Sequence, residues 1–391
     1  MDTNQKTTNL LIQLIKARSY PGIPGQEAAT VAELRTFLEE HHIRTTVTEV
    51  KDGRPNLLAA VDSGRPGRHL VFCGHTDTVP PNAGSTVDLF AAGVKEGVLY
   101  GRGTVDMKGA LAAMAGALVD LTEKKPLAAG KVTLAAVIDE ELESLGAEAL
   151  IQAGFRADAA VVGEPTSNKI AIGHKGLEWL TVEFTGRAAH GGTPEAGINA
   201  ISAAAYFVRL VEEELGPELK KRRDPILGPP VINMGTIFGG DQPSTVAAHC
   251  AIKLDRRWVT TETIEQVFSD LEGLLAKVRA KLPGLKTSLS RVPGGMATMI
   301  HGPFTTDPGH PIVKAAQKAL AGIGRQEEGL TVFPAWTDGA LLSREAKIPT
   351  IIWGPGALDH AHSPEENIRL EEVHFAAALY AKTALDFCRP R

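Results

Sequence analysis

The stretch VTLAAVIDEE, residues 132–141, decides the fold class of this chain. Its first seven residues are small or β-prone, and they run directly into the acids Asp139, Glu140 and Glu141. This pattern predicts a buried strand whose carboxyl end carries acidic side chains, and ligands bind at that end of the strands in open α/β sheets. Three adjacent carboxylates beside a core raise one another's pKa unless a positive charge lies among them, and a metal ion is the usual partner. An acidic turn that opens a helix would fit the same residues.

The composition is that of an ordinary globular protein. At 391 residues the chain exceeds the size at which one hydrophobic core stops growing, so two domains are expected. A net charge of −5 with 22% charged residues indicates no basic face for nucleic acid. No apolar run is long enough for a signal or membrane anchor, and three widely spaced cysteines predict neither a disulfide framework nor a thiolate metal site. We therefore expect a cytoplasmic protein without nucleic-acid or membrane partners.

Strands alternate with helices on both sides of the acidic stretch, which predicts an α/β fold with helices flanking the sheet. After residue 176 the pattern changes to strand, helix, two strands, helix and strand, which is typical of a small α+β domain of ferredoxin-like βαββαβ order. The α/β pattern returns near residue 293. We predict one domain from residues 1–176 and 293–391, with an inserted domain at 177–292.

Several candidate metal ligands follow the ends of predicted strands. Taken singly, each histidine could be structural and an acid before a helix could be a cap. Together they would meet at one edge of one sheet, and two histidines with several carboxylates match a two-metal site for zinc, cobalt or manganese. The candidates are His75, Asp77, Asp106, Glu140, Glu141, Glu164 and His362.

Five motifs surround these residues: GHTDTVP (74–80), GRGTVDMKG (101–109), DEE (139–141), GEPT (163–166), and GPG (354–356) with AHSPEE (361–366). Together they resemble the M20 metallopeptidases and deacylases, which include acetylornithine deacetylase, succinyl-diaminopimelate desuccinylase and carboxypeptidase G2-like enzymes. The resemblance covers nearly the whole chain. It implies a zinc-exopeptidase-like catalytic domain with a mixed sheet and an inserted lid and dimerisation domain.

The resemblance also implies a distribution of ligands between two divalent metal ions, most consistent with zinc. His75 and Glu164 would hold one ion, Glu141 and His362 the other, and Asp106 would bridge the pair.

Two acids would act beside the ligands. By the same resemblance, Glu140 would be the general base and Asp77 would orient His75, in agreement with the chemistry of such sites. His360 competes with His362 for the last ligand position, because both follow the Gly-Pro-Gly segment. The family pattern favours His362.

A glycine-rich turn at residues 186–194 carries His190 at its centre. In the resembled family a histidine at this place reaches the active site of the partner subunit and helps to stabilise the tetrahedral oxyanion. The resemblance thus implies a homodimer formed through the lid domain. A surface turn with an inactive histidine would have the same sequence.

Other positions are candidates for substrate binding. Arg257 matches the family's Asp-x-Arg pattern, whereas Arg256 does not, and an arginine there could pair with a substrate carboxylate. Ser244 stands where many members have Asn, so the acyl or side-chain preference is not specified. Gly354 and Gly356 could supply backbone contacts, although a plain loop would explain them as well.

These observations predict a hydrolase that cleaves an amide bond in an N-acyl amino acid, as acetylornithine deacetylase does, or in a small peptide. A hydroxide shared by the two metals would attack the carbonyl. Di- or tripeptidase and glutamate-type carboxypeptidase activities are alternatives within the family. Two-metal sites also cleave phosphate esters, but no phosphate loop or basic cluster accompanies these ligands. A non-catalytic metal-binding scaffold is the remaining alternative.

Overall fold

The computed structural model describes residues 2–82, 85, 88–295, 299–322 and 329–389. It divides into two compact units. The first unit comprises Met1–Gly173, Thr306–Phe333 and Thr337–Arg391, and the second comprises His174–Thr305 with Pro334–Trp336. The role of the second unit as a lid stays a prediction.

The helices and strands are numbered in chain order. The helices are α1 Thr3–Lys16, α2 Ala28–Glu40, α3 Lys108–Glu123, α4 Leu145–Gln152, α5 Ala200–Leu210, α6 Gly216–Lys221, α7 Ile264–Lys281, α8 Pro311–Ala321, α9 Gly339–Arg344 and α10 Leu370–Phe387. The strands are β1 Arg44–Lys51, β2 Arg54–Asp62, β3 His69–His75, β4 Gly93–Lys95, β5 Val98–Tyr100, β6 Lys131–Val137, β7 Ala159–Val162, β8 Ala171–His174, β9 Gly176–Thr185, β10 Val231–Gly239, β11 His249–Trp258, β12 Lys286–Arg291, β13 Phe304–Thr305, β14 Thr331–Phe333, β15 Thr350–Ile352 and β16 Asn367–Arg369.

The main sheet of the first unit has the strand order β1-β2-β6-β3-β7-β15-β8. Its four inner strands β6, β3, β7 and β15 are parallel, whereas β1, β2 and β8 pair antiparallel with their neighbours. The predicted mixed sheet flanked by helices is confirmed. Because the inner strands are parallel, their carboxyl ends lie at the same edge, and this edge receives the acids that follow β6.

Successive side chains along the inner strands point to opposite faces of the sheet, and both faces are apolar. On β3, Val71 and Cys73 pack into a buried cluster with Leu150 of α4 and Leu342 of α9. The side chain of Phe72 points to the other face, where its ring contacts Tyr380 of α10. A strand with both faces covered requires the near-continuous apolar sequence that the chain has at β3, β6 and β7.

Two glycines allow α3 to approach this edge of the sheet. A Cβ on Gly74 would lie 2.6 Å from the Cε atom of Met107, and a Cβ on Gly163 would lie 2.7 Å from the same atom. These glycines immediately precede His75 and Glu164. The absence of their side chains therefore brings the start of α3 close to both strand ends.

The second unit has an antiparallel sheet with the order β10-β11-β9-β12. Inward-facing residues of β9, among them Val182 and Phe184, pack against Phe207 of α5 and Leu271 of α7. The sequence of residues 198–214 predicts a single helix, but in the structure α5 continues through the π-helical segment Val211–Leu215 into α6. Pro217 has no N–H to donate in this region, which accounts for the local change of helix type.

Strand β10 lies at the edge of this second sheet. Three of its large apolar side chains are exposed, Val231 to 46%, Ile237 to 52% and Phe238 to 69%. In the described part of the chain, no helix has the length and apolar character needed to cross a membrane.

Candidate metal centre

The carboxyl ends of three neighbouring parallel strands place most of the candidate ligands. His75 is the last residue of β3, Glu140 and Glu141 follow β6, and Glu164 follows β7. The short loop before α3 adds Asp106. Parallel pairing of β3 with both β6 and β7 brings these residues to one edge, as the sequence predicted.

Asp106 lies between the two histidines. Its Oδ1 atom is 2.9 Å from Nε2 of His75, and its Oδ2 atom is 3.1 Å from Nε2 of His362. Glu141 Oε1 lies 3.0 Å from the same nitrogen of His362, and Glu164 Oε1 lies 3.7 Å from His75 Nε2. The structure thus brings all five predicted ligands into one cluster.

Two overlapping groups of donor atoms are close enough to hold a metal ion. Ligand atoms of His75, Glu140 and Glu164 lie within 4.8 Å of one another, and so do those of His75, Asp106 and Glu141. Imidazole nitrogens and carboxylate oxygens are the donors that zinc and similar divalent ions take in such sites. The chemistry of the donor set therefore fits a metal centre.

The electrostatics of the cluster fit cations as well. Burial together with repulsion among the acids raises the pKa of Glu140, Glu141 and Glu164 above the ordinary value. Among the described residues, the buried Oε1 atom of Glu164 has no hydrogen-bond partner. A nearby positive charge would stabilise the ionised form of these carboxylates, and divalent ions would provide that charge.

The same acids favour the charged form of the two imidazoles. Burial lowers the pKa of His75, but hydrogen bonds to Asp106 and Asp77 outweigh it, so the pKa lies well above its usual value. Hydrogen bonds to Asp106 and Glu141 raise the pKa of His362 to about 10. Burial opposes ionisation of Asp106, yet its bonds to the two histidines hold its pKa below the ordinary value.

The structure distinguishes the two histidines that compete for the last ligand position. His362 has φ of +57° and directs its ring towards Asp106 and Glu141. His360 is exposed in the short turn Leu358–His360. The contacts therefore favour His362, as the sequence did.

Asp77 organises the cluster through the backbone. The Nδ1–H group of His75 donates to the carbonyl oxygen of Asp77 at 3.0 Å, while the Asp77 carboxylate lies 3.5 Å from Nδ1. That carboxylate accepts N–H groups from Glu140 at 3.2 Å and from Glu141 at 3.0 Å. When Nδ1 donates a hydrogen bond, Nε2 is the nitrogen that can bind a metal, so Asp77 fixes the tautomer of His75. Asp77 also fixes the turn that carries Glu140 and Glu141.

Glu366 also shapes the site, although the sequence analysis gave it no role. Its Oε1 atom accepts N–H groups from Gly103, Val105 and Asp106 at 2.9 to 3.2 Å. Its Oε2 atom forms an ion pair with Arg102 at 2.6 Å, and both side chains are buried. The signal was present in the AHSPEE and GRGTVDMKG motifs, but only the structure shows that one motif binds the other.

Three predicted site residues, Arg257, Ser244 and His190, belong to the second unit. Arg257 forms a two-bond ion pair with Asp255, whereas Arg256 is buried and bonded to Glu262. Arg257 is thus the more accessible of the two arginines. The substrate-binding roles of Arg257 and Ser244 and the oxyanion role of His190 stay predictions.

His190 and Ser244 occur in adjoining turns of the second unit. The exposed His190 accepts the N–H of Gly192 through Nδ1 at 3.0 Å, and the carbonyl of Ser244 accepts the N–H of Gly191 at 2.7 Å. These bonds hold the turn in which His190 lies.

The glycines of the Gly-Pro-Gly segment form bonds within the first unit. The N–H of Gly354 donates to Oγ1 of Thr166 at 3.1 Å, and the N–H of Gly356 donates to Oε2 of Glu372 at 3.1 Å. A Cβ on Gly354 would lie 2.1 Å from the carbonyl oxygen of Gly163. These contacts favour the alternative interpretation, a structural loop, over backbone contacts to substrate.

A family model for peptidase family M20/M25/M40 matches residues 71–386. This chain belongs to that family. The M20 chain is 32% identical to acetylornithine deacetylase of Proteus mirabilis (strain HI4320) over 344 residues, which are 86% of this chain and 83% of that enzyme. The resemblance inferred from the motifs is confirmed, and the chain is an M20 hydrolase.

Solved structures share the fold of this M20 chain. The aminopeptidase PepT from Bacillus cereus matches with a TM-score of 0.81 and 21% identity over 98% of each chain. The Bacillus subtilis YXEP protein, described as a dinuclear metal-binding peptidase of the M20 family, matches with a TM-score of 0.71 and 17% identity over 97% of this chain and 98% of that one. At these identities the comparisons support the fold alone.

Proposed function

We propose that this M20 hydrolase uses two divalent metal ions to cleave the amide bond of an N-acyl amino acid. The observation that carries the proposal is the position of Asp106, whose two carboxylate oxygens contact two different imidazoles. A single carboxylate placed in this way is suited to lie between two cations. The curated relative named acetylornithine deacetylase supports an N-acyl amino acid as the substrate class.

In the proposed centre, His75 and Glu164 would hold one ion, Glu141 and His362 would hold the other, and Asp106 would lie between the two. Zinc is most consistent with two imidazoles and several carboxylates, and cobalt or manganese would also fit. When bound, the two ions polarise the substrate carbonyl and lower the pKa of a water molecule.

Glu140 is the proposed general base. Its carboxylate lies in the same donor group as His75 and Glu164, while its backbone N–H is fixed by Asp77. From this position it can take a proton from the attacking water and return it to the leaving nitrogen, a contribution of about 100-fold to 10,000-fold in rate. Asp77 keeps the Nε2 atom of His75 directed at the centre.

We propose in addition that two copies of the chain associate through the second unit. The edge position of β10 and the exposure of Ile237 and Phe238 support this, because exposed edge strands with apolar side chains favour pairing with another chain. In such a homodimer, His190 would act as an oxyanion donor in the partner's site, and Arg257 with Ser244 would contact the substrate.

Metal content and substrate profile test the proposal together. The purified protein should contain two divalent ions per chain, lose activity on chelation and regain it on addition of zinc, cobalt or manganese. The metal-loaded protein should hydrolyse N-acetyl amino acids faster than dipeptides, tripeptides or C-terminal glutamate peptides, and it should not cleave nitrophenyl phosphate. If a peptide is hydrolysed faster than the N-acetyl amino acids, the substrate class is a peptide. If the protein binds metal but hydrolyses none of these compounds, a non-catalytic metal-binding scaffold is favoured.

A further inference from the structure

Arg54, the first residue of β2, connects two buried carboxylates. Its Nε and Nη2 atoms donate to the two oxygens of Glu27 at 2.8 and 2.6 Å, and Nη2 also donates to Oδ1 of Asp139 at 2.5 Å. The side chain of Glu27 is fully buried and that of Asp139 is 2% exposed. The guanidinium therefore links the residue that precedes α2 to the first of the three consecutive acids.

Asp139 has an unusual backbone conformation, with φ of +71°. Its carbonyl oxygen accepts the N–H groups of Glu143 at 3.1 Å and Ser144 at 2.6 Å, which closes the turn that follows β6. A residue other than glycine rarely occupies this left-handed region, and surrounding contacts must hold it there. The bond from Arg54 to the Asp139 side chain is such a contact.

The same turn carries Glu140 and Glu141. Their N–H groups donate to the Asp77 carboxylate, which fixes the turn on one side. Arg54 fixes it on the opposite end through Asp139. An error of about 1 Å in the place of a reacting group can cost on the order of 100-fold in rate, so the accuracy of this turn matters for Glu140.

We propose that Arg54 is a positioning residue for the general base: through Asp139 it holds the turn that directs Glu140 and Glu141 into the metal centre. The inference rests on the proposed function, in which Glu140 takes the proton. It assigns to Glu27 a different part, namely to keep the guanidinium in its buried place. A merely structural Arg54 would connect α2 to the sheet and would have no specific effect on turnover.

Double-mutant cycles separate these two roles, because the effects of substitutions at residues that act on the same step are not additive. Arg54→Met should lower kcat on the order of 100-fold, with little change in KM. Asp139→Asn should lower kcat less, and the double variant should be no slower than Arg54→Met alone. Glu27→Gln, which keeps one acceptor oxygen for the guanidinium, should lower the thermal midpoint and should lower kcat far less than Arg54→Met does.

Amide hydrogen exchange supplies a readout that does not depend on activity. In Arg54→Met the N–H groups of Glu140 and Glu141 should exchange faster, while those of Lys131–Val137 keep their protection. Arg54→Lys, which keeps the charge but loses the planar fork, should restore part of kcat and part of the protection. It also replaces Arg54→Met in the cycles if that variant does not fold.

Two results would overturn the inference. One is a folded Arg54→Met protein with wild-type kcat and unchanged exchange at residues 139–144. The other is a loss of kcat in Glu27→Gln as large as that in Arg54→Met. Glu140→Gln is assayed in parallel. If this variant keeps wild-type turnover, Glu140 is not the base. Amide exchange at residues 139–144 then decides by itself whether Arg54 positions the turn.

Discussion

The carboxylate of Glu366 lies 3.2 Å from the backbone nitrogen of Asp106 and accepts its N–H group. Glu366 follows the proposed ligand His362 by four residues, and Asp106 is one of the two acids that contact His362. The segment that carries one proposed ligand therefore also fixes the loop that carries another. The position of Asp106 between the two histidines depends on this contact.

Replacement of Glu366 should weaken metal binding. Glu366→Ala removes the acceptor of three N–H groups and the partner of buried Arg102, so the affinity for zinc should fall about 10-fold to 100-fold. Glu366→Gln keeps an acceptor oxygen, so its affinity for zinc should fall less. Competition with a chelator measures the affinity, and Glu365→Ala, at the exposed neighbouring position, is the control. Equal zinc affinity in all these variants would contradict the prediction.

Replacement of Glu140 should separate chemistry from metal binding. Glu140→Ala should retain its metal ions but lose about 100-fold to 10,000-fold in kcat, because the proton has no acceptor. Elemental analysis and steady-state kinetics on the same sample measure both quantities. Glu143→Ala, in the same turn, serves as the control. Hydrolysis by Glu140→Ala at the wild-type rate would show that another group is the base.

The buried His301 should make the second unit sensitive to acid. Its ring packs against Trp336 at a centroid distance of 4.7 Å, and burial with the nearby Arg291 lowers its pKa to about 4. In the unfolded chain the pKa is about 6.5, so the unfolded state binds the proton first as the pH falls. The stabilisation is complete above about pH 6.5 and should be lost towards pH 4, by about 3 kcal/mol.

Urea unfolding of the wild type and His301→Phe at several pH values measures this effect. As the pH falls from 7 to 4, the unfolding free energy of the wild type should decrease relative to that of His301→Phe, because only the wild type carries the titrating ring. His249→Phe, at an exposed position of the same unit, controls for the loss of a histidine. Parallel stability curves for wild type and His301→Phe would refute the prediction.

A charge on the exposed edge strand should disrupt the proposed homodimer. Phe238→Asp places a carboxylate on β10, where the phenylalanine is 69% exposed, so desolvation and repulsion would oppose pairing. Light scattering should report a monomer for this variant. Val94→Asp changes a residue of the first unit that is 48% exposed and should leave the oligomeric state unchanged. A dimeric Phe238→Asp protein would exclude this edge as the interface.

The sequence predicted several elements with their observed bounds and did not resolve the shortest strands. The sequence predicts a helix over residues 145–152 and strands over residues 159–162 and 286–291, and the structure has Leu145–Gln152, Ala159–Val162 and Lys286–Arg291. The three-residue strands Gly93–Lys95 and Val98–Tyr100 lie in residues 81–100, for which the sequence predicts a loop with weak strands. Strands this short have too few residues for a clear pattern, because their stability comes from pairing.

The cluster of candidate metal ligands was predictable because most of its members follow strand ends and all of them lie in specific motifs. The residues that support it were not. Glu366 and Asp106 are separated by 260 positions, and Arg54 and Asp139 by 85. In the sequence, a single glutamate or arginine has the appearance of a surface residue, since charged residues are rarely buried without a partner. Only the three-dimensional contacts show that these charges are buried and paired.

The order of the chain has a consequence for synthesis on the ribosome. The strand β15, which lies between β7 and β8, and the proposed ligand His362 are both made after the second unit. Since domains fold as units while the chain emerges, the inserted unit is complete before the unit that surrounds it. A nascent chain that has reached only the inserted unit lacks His362, and the full donor set therefore exists only once the last part of the chain has joined the first.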